Sequence, residues 1–432
     1  MKFAIYTLGC KVNQYETQAM EQALLERGHE LVSFEESADA YIINTCTVTA
    51  VSDKKSRAII RQAQKRIPAA VVAVCGCYAQ TEPKAVEALG VDLISGTGDH
   101  IAFLDGVEAL ALQRQVEQRD LTDDALRRHG FEFLPAGGLE GRTRAMLKVE
   151  DGCVNFCTYC IIPYARGPIR SMPLERAAEE CRRLAEEGYR EIVLTGIEIS
   201  SWGRDLPEKG ELADLVEAVC LAAPGVRVRL GSLEPRTITE DFCRRVSALP
   251  NLCPHFHLSL QSGCDATLKR MNRKYDTARY RESVTLLRRW FDDPGITTDL
   301  ITGFPGESEE EFAETLNFIG EMGFSAMHIF PYSRRSGTPA AKMPEQILNA
   351  VKSERVHRAD AVARENRTVY LTRQAGKVVP VLFEEERKGR WVGHAPNYVE
   401  VSLVSTEDLH NRVLPVRLGE PFGDGLSGEL AE

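Results

Sequence analysis

Along the first part of the chain, segments whose apolar residues have the spacing of a strand are followed by segments whose apolar residues have the spacing of a helix. This pattern predicts repeated strand–helix units. Short apolar runs typical of buried strands occur at residues 3–7, 40–44, 70–74 and 91–95. Apolar residues at helical spacing lie between and after these runs, over residues 14–27, 53–66 and 82–89. Strands that alternate with helices form a parallel sheet with helices on its faces. The pattern predicts an N-terminal parallel α/β domain over residues 1–105.

A second strand–helix series begins after a charged connection. Residues 106–140 are rich in charge and end in Pro135-Ala136-Gly137-Gly138, which predicts a helix and a linker. Beyond them, strands are predicted at residues 145–150, 191–195, 227–231, 255–260, 296–301 and 326–330. A full eight-unit barrel takes ~250 residues, so these six units predict an open, partial (β/α)6 barrel over residues 141–368.

The last part of the chain changes to a period of two. Val379, Val381 and Phe383 share one predicted strand face, with Pro380 inside the run. Because proline cannot donate to a ladder, we expect an edge strand there. Short strands separated by glycine and proline turns predict a small OB-like β-barrel over residues 369–432.

Composition and charge limit the class of function. With 43% hydrophobic and 27% charged residues the chain is typical of a globular protein. No uncharged apolar run reaches the ~18–20 residues of a membrane span, and the first residues have a strand pattern. We therefore expect a cytoplasmic protein with no membrane partner. The net charge of −10 disfavours a general nucleic-acid coat but allows a local basic patch.

Two basic patches are candidates for contact with nucleic acid, because phosphate contacts normally need Lys and Arg. The first comprises Lys54, Lys55, Arg57, Arg61, Lys65 and Arg66. The second comprises Lys269, Arg270, Arg273 and Lys274. From residue 369 onward acidic residues outnumber basic ones, which weakens the expectation of an RNA-binding surface in the small barrel.

Twelve cysteines require an explanation, because disulfides are rare in a reducing cytosol. Five of them lie in helical patterns or beside strands and are expected to pack in the core: Cys181, Cys220, Cys243, Cys253 and Cys264. Three others lie within eight residues, in the order C-x3-C-x2-C, as Cys153, Cys157 and Cys160. Soft thiolates select iron–sulfur clusters or zinc. Structural zinc needs four ligands and no nearby fourth Cys or His is present, whereas a cubane on three cysteines leaves one iron open.

This spacing, with Tyr159 before the last cysteine, resembles the signature of the radical S-adenosylmethionine (SAM) enzymes. The resemblance implies that the open iron binds the methionine moiety of SAM and that Tyr159 lies near the adenine. Ligands of parallel α/β folds lie at the carboxyl ends of strands. The candidate SAM contacts at those ends are Gly196, Glu198, Ser232, Glu234 and Gln261.

Three further cysteines follow three predicted N-terminal strands. Cys10, Cys46 and Cys77 each come within three residues of a strand end, so a parallel sheet brings them to one edge. Cys75 lies in or at the end of its strand and is the weaker candidate. Three thiolates would again leave an iron open, which suggests a second cluster that handles a sulfur species. Buried packing cysteines and an electron relay are the alternatives.

These residues together resemble the methylthiotransferase branch of the radical SAM enzymes over nearly the whole chain. The resemblance is carried by Thr7–Asn13, Asn44–Val48, Gly76–Gln80, the central cysteine loop through Gly167, Leu258–Gly263 and Phe330–Arg335. The small barrel is similar to the TRAM domain of that branch. The stretch Lys11–Thr17 is most similar to the MtaB type, which acts on N6-threonylcarbamoyladenosine at position 37 of tRNA, beside the anticodon.

The resemblance implies two [4Fe-4S] clusters, SAM, the anticodon loop of tRNA and an electron donor such as flavodoxin or ferredoxin. One SAM would methylate a sulfur at the auxiliary cluster on Cys10, Cys46 and Cys77. A second would be cleaved reductively at the other cluster, and the 5′-deoxyadenosyl radical would take hydrogen from C2 of the adenine. The alternatives are methylthiolation of isopentenyladenosine in tRNA, methylthiolation of a ribosomal protein aspartate, and a zinc-stabilised RNA-binding protein without catalysis.

Overall fold

The computed structural model describes residues 1–114, 119–134 and 142–431. Its first part is a parallel sheet in the strand order β2-β1-β3-β4-β5. The strands are β1 (Lys2–Thr7), β2 (Glu30–Leu31), β3 (Ala40–Thr45), β4 (Val71–Gly76) and β5 (Leu93–Ile94). The register pairs Thr7 with Asn44 and Thr45 with Gly76, so β1, β3 and β4 end side by side.

Helices cover both faces of this sheet. They are α1 (Lys11–Glu26), α2 (Ala50–Arg66), α3 (Cys77–Thr81), α4 (Pro83–Glu87) and α5 (His100–Ala111). Met20 of α1 and Phe103 of α5 pack on one face, whereas Ile60 of α2 packs on the other. Helix α5 spans residue 105, where the sequence predicts a domain boundary, because Phe103, Leu104 and Val107 on either side of it are buried against the sheet. The Pro135-Ala136-Gly137-Gly138 end of the predicted linker lies outside the described residues.

The central part is an open barrel of parallel strands. Its strands and a short hairpin are β6 (Arg144–Lys148), β7 (Glu150–Asp151), β8 (Arg170–Ser171), β9 (Glu191–Thr195), β10 (Arg227–Leu230), β11 (Ser232–Leu233), β12 (His255–Leu258), β13 (Gly295–Thr302) and β14 (Ala326–Pro331). The sheets run β6-β9-β10 and β11-β12-β13-β14, and β11 directly continues β10. Within the described ranges β6 and β14 each pair on one side only, so the barrel is open between them. The predicted six-unit partial barrel is confirmed.

Helices surround the barrel and bury one large core. They are α6 (Ile162–Arg166), α7 (Leu174–Glu186), α8 (Leu212–Ala222), α9 (Glu240–Val246), α10 (Asp265–Arg270), α11 (Thr277–Trp290) and α12 (Glu309–Met322). Ser308 caps α12 by accepting from the Glu311 N–H. Cys181, Cys220 and Cys243 pack in this core, and Cys253 and Cys264 are also buried.

A long helix leads into the C-terminal barrel. Helix α13 (Asn349–Gln374) begins beside α12 and ends with Tyr370 and Leu371 packed in the barrel core, so it spans the predicted boundary at residue 369. The strands are β15 (Val378–Arg387), β16 (Arg390–His394), β17 (Glu400–Leu403), β18 (Val413–Phe422) and β19 (Gly425–Leu430). They close in the order β15-β16-β17-β19-β18, which confirms the predicted small barrel.

The predicted edge strand at Pro380 is wrong. Strand β15 pairs with β18 over residues 378–382 and with β16 from Leu382 onward. Pro380 lies opposite Pro415, in the half of β15 that β16 does not reach. The stagger of a closed barrel leaves one side of that half unpaired, so the missing N–H breaks no ladder bond.

The C-terminal barrel packs against the amino ends of the core strands. Arg144 of β6 forms an ion pair with Glu384, and Arg229 of β10 donates to the carbonyl of Pro396 at 2.8 Å. The N-terminal domain therefore packs at the opposite, carboxyl ends of the core strands, where the cysteine loop lies. Among the described residues no helix is both long and apolar enough to cross a membrane.

Candidate functional site

Cys10, Cys46 and Cys77 lie together at the carboxyl edge of the N-terminal sheet. Cys10 precedes α1, Cys46 directly follows β3, and Cys77 is the first residue of α3. Cys46 and Cys77 are buried, whereas Cys10 is exposed. Burial raises the pKa of Cys77 to about 12, and the thiols of Cys10 and Cys46 are near enough to raise it as well. The structure therefore brings together the three thiols that the sequence places at this edge.

Local backbone and side-chain contacts hold this edge. Gly76 has a φ of +93°, and a side chain there would clash with the Asn44 Oδ1. The amide of Asn13 donates to the Leu8 carbonyl at 2.8 Å and to the Thr45 carbonyl at 3.0 Å. Asn13 thereby joins the loop before Cys10 to the end of the strand before Cys46.

Cys75 faces away from these thiols. It packs on the opposite side of β4 from the α2 helix, in the core with Phe103 and Leu104. Burial raises its pKa well above the usual range, and its electrostatic neighbours include Glu16 and Arg166. Cys77 lies beyond β4 as the first residue of α3, and the chain turns at Gly76, with a φ of +93°, between the two cysteines.

Cys153, Cys157 and Cys160 lie on a loop between β7 and α6. Gly152 has a φ of +89° and no room for a side chain, because the Pro168 carbonyl lies within 1.9 Å of the position a Cβ would take. The Cys160 N–H donates to the Cys157 carbonyl at 2.9 Å, which turns the loop back on itself. Burial raises the pKa of Cys160 to about 12, and the Cys157 thiol raises it further.

Arg273 points at this loop rather than at solvent. Its Nη1 donates to the Cys157 sulfur at 3.2 Å and its Nε to the Tyr275 hydroxyl at 3.0 Å. Its Nη2 is shielded from solvent and has no hydrogen-bond partner among the described residues. The expectation that Arg273 belongs to an exposed basic patch is therefore wrong.

Glu198 and Gly196 lie beside the cysteine loop. Asn155, between Cys153 and Cys157, donates to the Glu198 Oε2 at 3.3 Å. The Glu198 Oε1 is shielded and has no partner in the described part of the chain. Burial raises the pKa of Glu198 to about 7, although Arg273 opposes the rise. Packing explains the glycine at position 196, because a side chain there would clash with Glu150.

The other predicted SAM contacts differ in their exposure and in the contacts that they already make. Tyr159 packs edge-on against Phe304, with ring centroids 6.5 Å apart. Ser232 is exposed, and Gln261 is half-buried in the left-handed region at a φ of +71°. Glu234 is buried and accepts from Arg236 Nε at 2.8 Å.

The thiols of each cysteine group are soft donors of the kind that iron–sulfur clusters bind. Within the described ranges no three His, Cys, Asp or Glu side chains are arranged to hold a single metal ion. Thiolates around an iron–sulfur cluster bind different irons and stand apart. Burial raises the pKa of Cys46, Cys77, Cys153 and Cys160, so metal binding at these thiols would release protons.

A buried ion network joins the two cysteine regions. Arg166, at the end of α6, binds Glu16 of α1, with Nη2 at 3.0 Å from Oε2, and donates to the Asn13 amide oxygen at 2.8 Å. Lys148 lies 3.3 Å from Glu16 and 3.5 Å from Asp151, which is two residues before Cys153. Burial alone would raise the pKa of Glu16, but Arg166 and Lys148 outweigh it and hold it below the usual range.

Replacing Arg166 with Met is expected to lower the free energy of unfolding by about 3–5 kcal/mol, because Glu16 loses its main buried counter-ion. Urea-induced unfolding followed by circular dichroism measures the loss. Arg182→Met is the control, since Arg182 is exposed on α7 and surface changes have effects within about 0.5 kcal/mol. Equal unfolding midpoints for the two variants would contradict a stabilising role for this network.

A second set of contacts joins the loop after β14 of the barrel to the start of α2 in the N-terminal domain. Arg335 is buried and binds both Asp53 and Thr47, which flank the start of α2. The Ala50 N–H donates to the Ser333 hydroxyl at 3.1 Å. The loop after β14 thus holds the segment that follows Cys46.

The first predicted basic patch is largely exposed on α2. Its outward-facing members, here called the α2 basic face, are Lys54, Lys55, Arg61 and Lys65. Arg57 instead donates to the Tyr78 hydroxyl and Arg66 to the Glu35 carbonyl, each at 2.9 Å. In the second patch Arg270 binds Glu311, which leaves Lys269 and Lys274 exposed.

The residues that position the cysteines were not among the predicted site residues. Asn13, Arg166, Arg273 and Arg335 all bridge segments far apart in sequence. Asn13, Arg166 and Arg335 lie in the stretches that carry the family resemblance, which is the one signal that could have drawn attention to them.

Comparisons with known proteins agree with this arrangement. The model of the Radical SAM superfamily matches residues 147–319, and that of the uncharacterized protein family UPF0004 matches residues 2–96. The chain is 40% identical to the threonylcarbamoyladenosine tRNA methylthiotransferase MtaB of Bacillus subtilis, over 99% of this chain and 97% of that protein. It is 34% identical to a tRNA-2-methylthio-N(6)-dimethylallyladenosine synthase of Symbiobacterium thermophilum, over 99% and 94%.

Solved structures share the fold. The radical SAM methyltransferase TsrM of Kitasatospora setae, solved with cobalamin and a [4Fe-4S] cluster, aligns with a TM-score of 0.57. The alignment covers 78% of this chain and 76% of that one at 18% identity.

Proposed function

The chain belongs to the radical SAM tRNA methylthiotransferases, and we propose that it converts N6-threonylcarbamoyladenosine at position 37 of tRNA to the 2-methylthio derivative. The observation that carries this proposal is the 40% identity to a relative named for that substrate, over nearly the full length of both proteins. The dimethylallyladenosine relatives have lower identity, at 33–34%. We further propose that the protein acts in the cytoplasm and receives electrons from a flavodoxin or ferredoxin.

Two groups of thiols would hold the two clusters. Cys153, Cys157 and Cys160 would bind the cluster that binds SAM, and the N-terminal edge cysteines would bind the auxiliary cluster. Three soft donors in each group fit a cubane with one open iron. The N–H···S bond from Arg273 fits the first site, because donors to cluster sulfurs stabilise the reduced state. Together with SAM, the bound clusters supply electrons, radical chemistry and the methylthio group.

The chain's own residues position these groups and exclude water. The shielded Glu198 Oε1 lacks a partner among the described residues and suits the amino group of the methionine moiety. Tyr159 provides an apolar face beside the cysteines. The Arg166 network and the Arg335 contacts hold the N-terminal edge against the core loop and would thereby fix the distance between the two bound clusters.

The α2 basic face is the proposed contact with the tRNA backbone. Helix α2 begins four residues after Cys46, so cations along it extend from the auxiliary site. Replacing all four residues with Met is expected to weaken tRNA binding and to reduce the slope of log K against log salt by about 3–4, because each cation releases about one counterion. Filter binding between low and moderate salt measures the slope.

The matched control replaces four exposed cations elsewhere on the molecule. These are Lys2, Arg182, Arg244 and Lys388. The same loss of four charges there should leave the slope nearly unchanged. If both variants reduce the slope equally, net charge rather than the α2 basic face determines binding.

Nucleosides from a strain that lacks the gene test the substrate. We expect the 2-methylthio form of threonylcarbamoyladenosine to be absent from its tRNA and the unmethylthiolated form to accumulate, as measured by mass spectrometry. The intact gene should restore the modified nucleoside. Loss of the isopentenyladenosine derivative, or of a ribosomal protein modification, would instead identify one of the alternative substrates.

A further inference from the structure

Basic side chains line the amino-terminal end of the barrel interior. Val228 and Leu230 of β10 pack in the core beneath the helices, so Arg229 between them points to the interior. The Tyr398 ring lies there, with the guanidinium carbons of Arg229 and Arg144 at 4.7 and 5.4 Å from its centroid.

Both arginines already have partners. Arg229 Nε donates to Glu191 at 2.7 Å, and Arg144 forms an ion pair with Glu384. Arg227 also donates to Glu191, at 2.6 Å. The carboxylates in this region are therefore engaged.

Lys11 extends toward the same region without a partner. It directly follows Cys10 and lies one helical turn before Tyr15, which packs with Ala19 against Met146 of β6. This face of α1 is therefore turned to the barrel. Lys11 is half-buried, and its side-chain ammonium forms no hydrogen bond or ion pair with the described residues. Its charged neighbours include Arg229, Arg144 and Glu191.

A half-buried ammonium among other cations is costly unless an anion joins it. The Lys11 position therefore suits an anionic group of a ligand that enters between the N-terminal domain and the barrel. The threonylcarbamoyl substituent carries a carboxylate, whereas the dimethylallyl group carries no charge.

We propose that Lys11 binds the carboxylate of the threonylcarbamoyl group and thereby selects this nucleoside, an inference that rests on the proposed function. The chemistry of the base supports the placement. C2, which receives the methylthio group, and C6, which bears the substituent, are both bonded to N1 of the same ring. A side chain next to Cys10 is thus near both the sulfur source and the substituent.

Binding of two anticodon stem-loop RNAs tests the inference. One carries threonylcarbamoyladenosine and the other its carboxyl methyl ester, which removes only the charge. We expect the wild-type protein, loaded with clusters, to bind the acid about 10- to 100-fold more tightly than the ester, the range for a hydrogen bond to a charged group. Fluorescence anisotropy at one salt concentration measures both dissociation constants.

Variants at Lys11 then separate charge from structure. Lys11→Met and Lys11→Gln should bind acid and ester equally, whereas Lys11→Arg should keep most of the preference. Comparison at equal iron content excludes an effect of cluster loading. Lys2→Met is the control, because Lys2 is an exposed residue at the opposite end of β1.

The outcomes distinguish this inference from the proposed function. If the wild type methylthiolates the acid but binds acid and ester equally, or if Lys11→Gln keeps the preference, the role of Lys11 is overturned. If the wild type does not methylthiolate threonylcarbamoyladenosine at all, the proposed substrate fails instead.

Discussion

Simultaneous replacement of Cys153, Cys157 and Cys160 with Ala is expected to abolish reductive cleavage of SAM, measured as 5′-deoxyadenosine after addition of dithionite. The variant should also bind about half of the ~8 irons expected for two cubanes after anaerobic reconstitution. The physical reason is that this loop supplies every protein ligand of the cluster that would bind SAM. Retained cleavage would show that the SAM site lies elsewhere.

The control for this experiment uses cysteines that pack in the core. Cys220 and Cys264 are buried away from both cysteine groups, so Cys220→Ala and Cys264→Ala should keep the iron content and the cleavage activity. A similar loss in these variants would point to general destabilisation. Tightly bound zinc in place of iron in the wild type would contradict the radical mechanism altogether.

Replacement of Cys10, Cys46 and Cys77 with Ala is expected to separate the two halves of the reaction. Cleavage of SAM should continue, because the central cysteine loop is intact. The methylthio nucleoside should fall below detection, because no auxiliary cluster remains to supply sulfur. Mass spectrometry of digested tRNA, together with the amount of 5′-deoxyadenosine, measures both effects in one sample.

Cys75 provides the internal comparison. Its side chain packs in the core with Phe103, on the side of β4 away from the three thiols. Cys75→Ala should therefore leave formation of the methylthio nucleoside within a few-fold of wild type. Complete loss in Cys75→Ala, with normal activity in Cys77→Ala, would reverse the ligand assignment.

Much of this architecture could be predicted because it depends on local pattern. The period of apolar residues identifies the strands, and the rule that parallel strands end at one edge brings Cys10, Cys46 and Cys77 together. The central cysteine spacing was readable for the same reason, since all three residues lie on one loop. Boundaries were less accurate where helices α5 and α13 continue across them.

Long-range contacts could not be predicted from the pattern. Arg273 lies in a run of basic residues, yet the turn after α10 directs its guanidinium to Cys157. Arg166 and Asn13 are 153 residues apart and meet only when the two domains pack together. Pro380 alone indicates an edge strand, because its partner strands β16 and β18 come later in the chain and their pairing in a closed barrel cannot be seen from the local pattern.

The proposed reaction requires the two clusters of this chain to act together on one modified adenosine. The most direct test is a single incubation of reconstituted protein with SAM, reductant and tRNA that carries threonylcarbamoyladenosine. Each 2-methylthio nucleoside formed should be accompanied by one S-adenosylhomocysteine and at least one 5′-deoxyadenosine. Two results would contradict the joint action of the two clusters on threonylcarbamoyladenosine. One is sustained 5′-deoxyadenosine formation with the nucleoside unchanged, and the other is equal methylthiolation of tRNA that lacks the threonylcarbamoyl group.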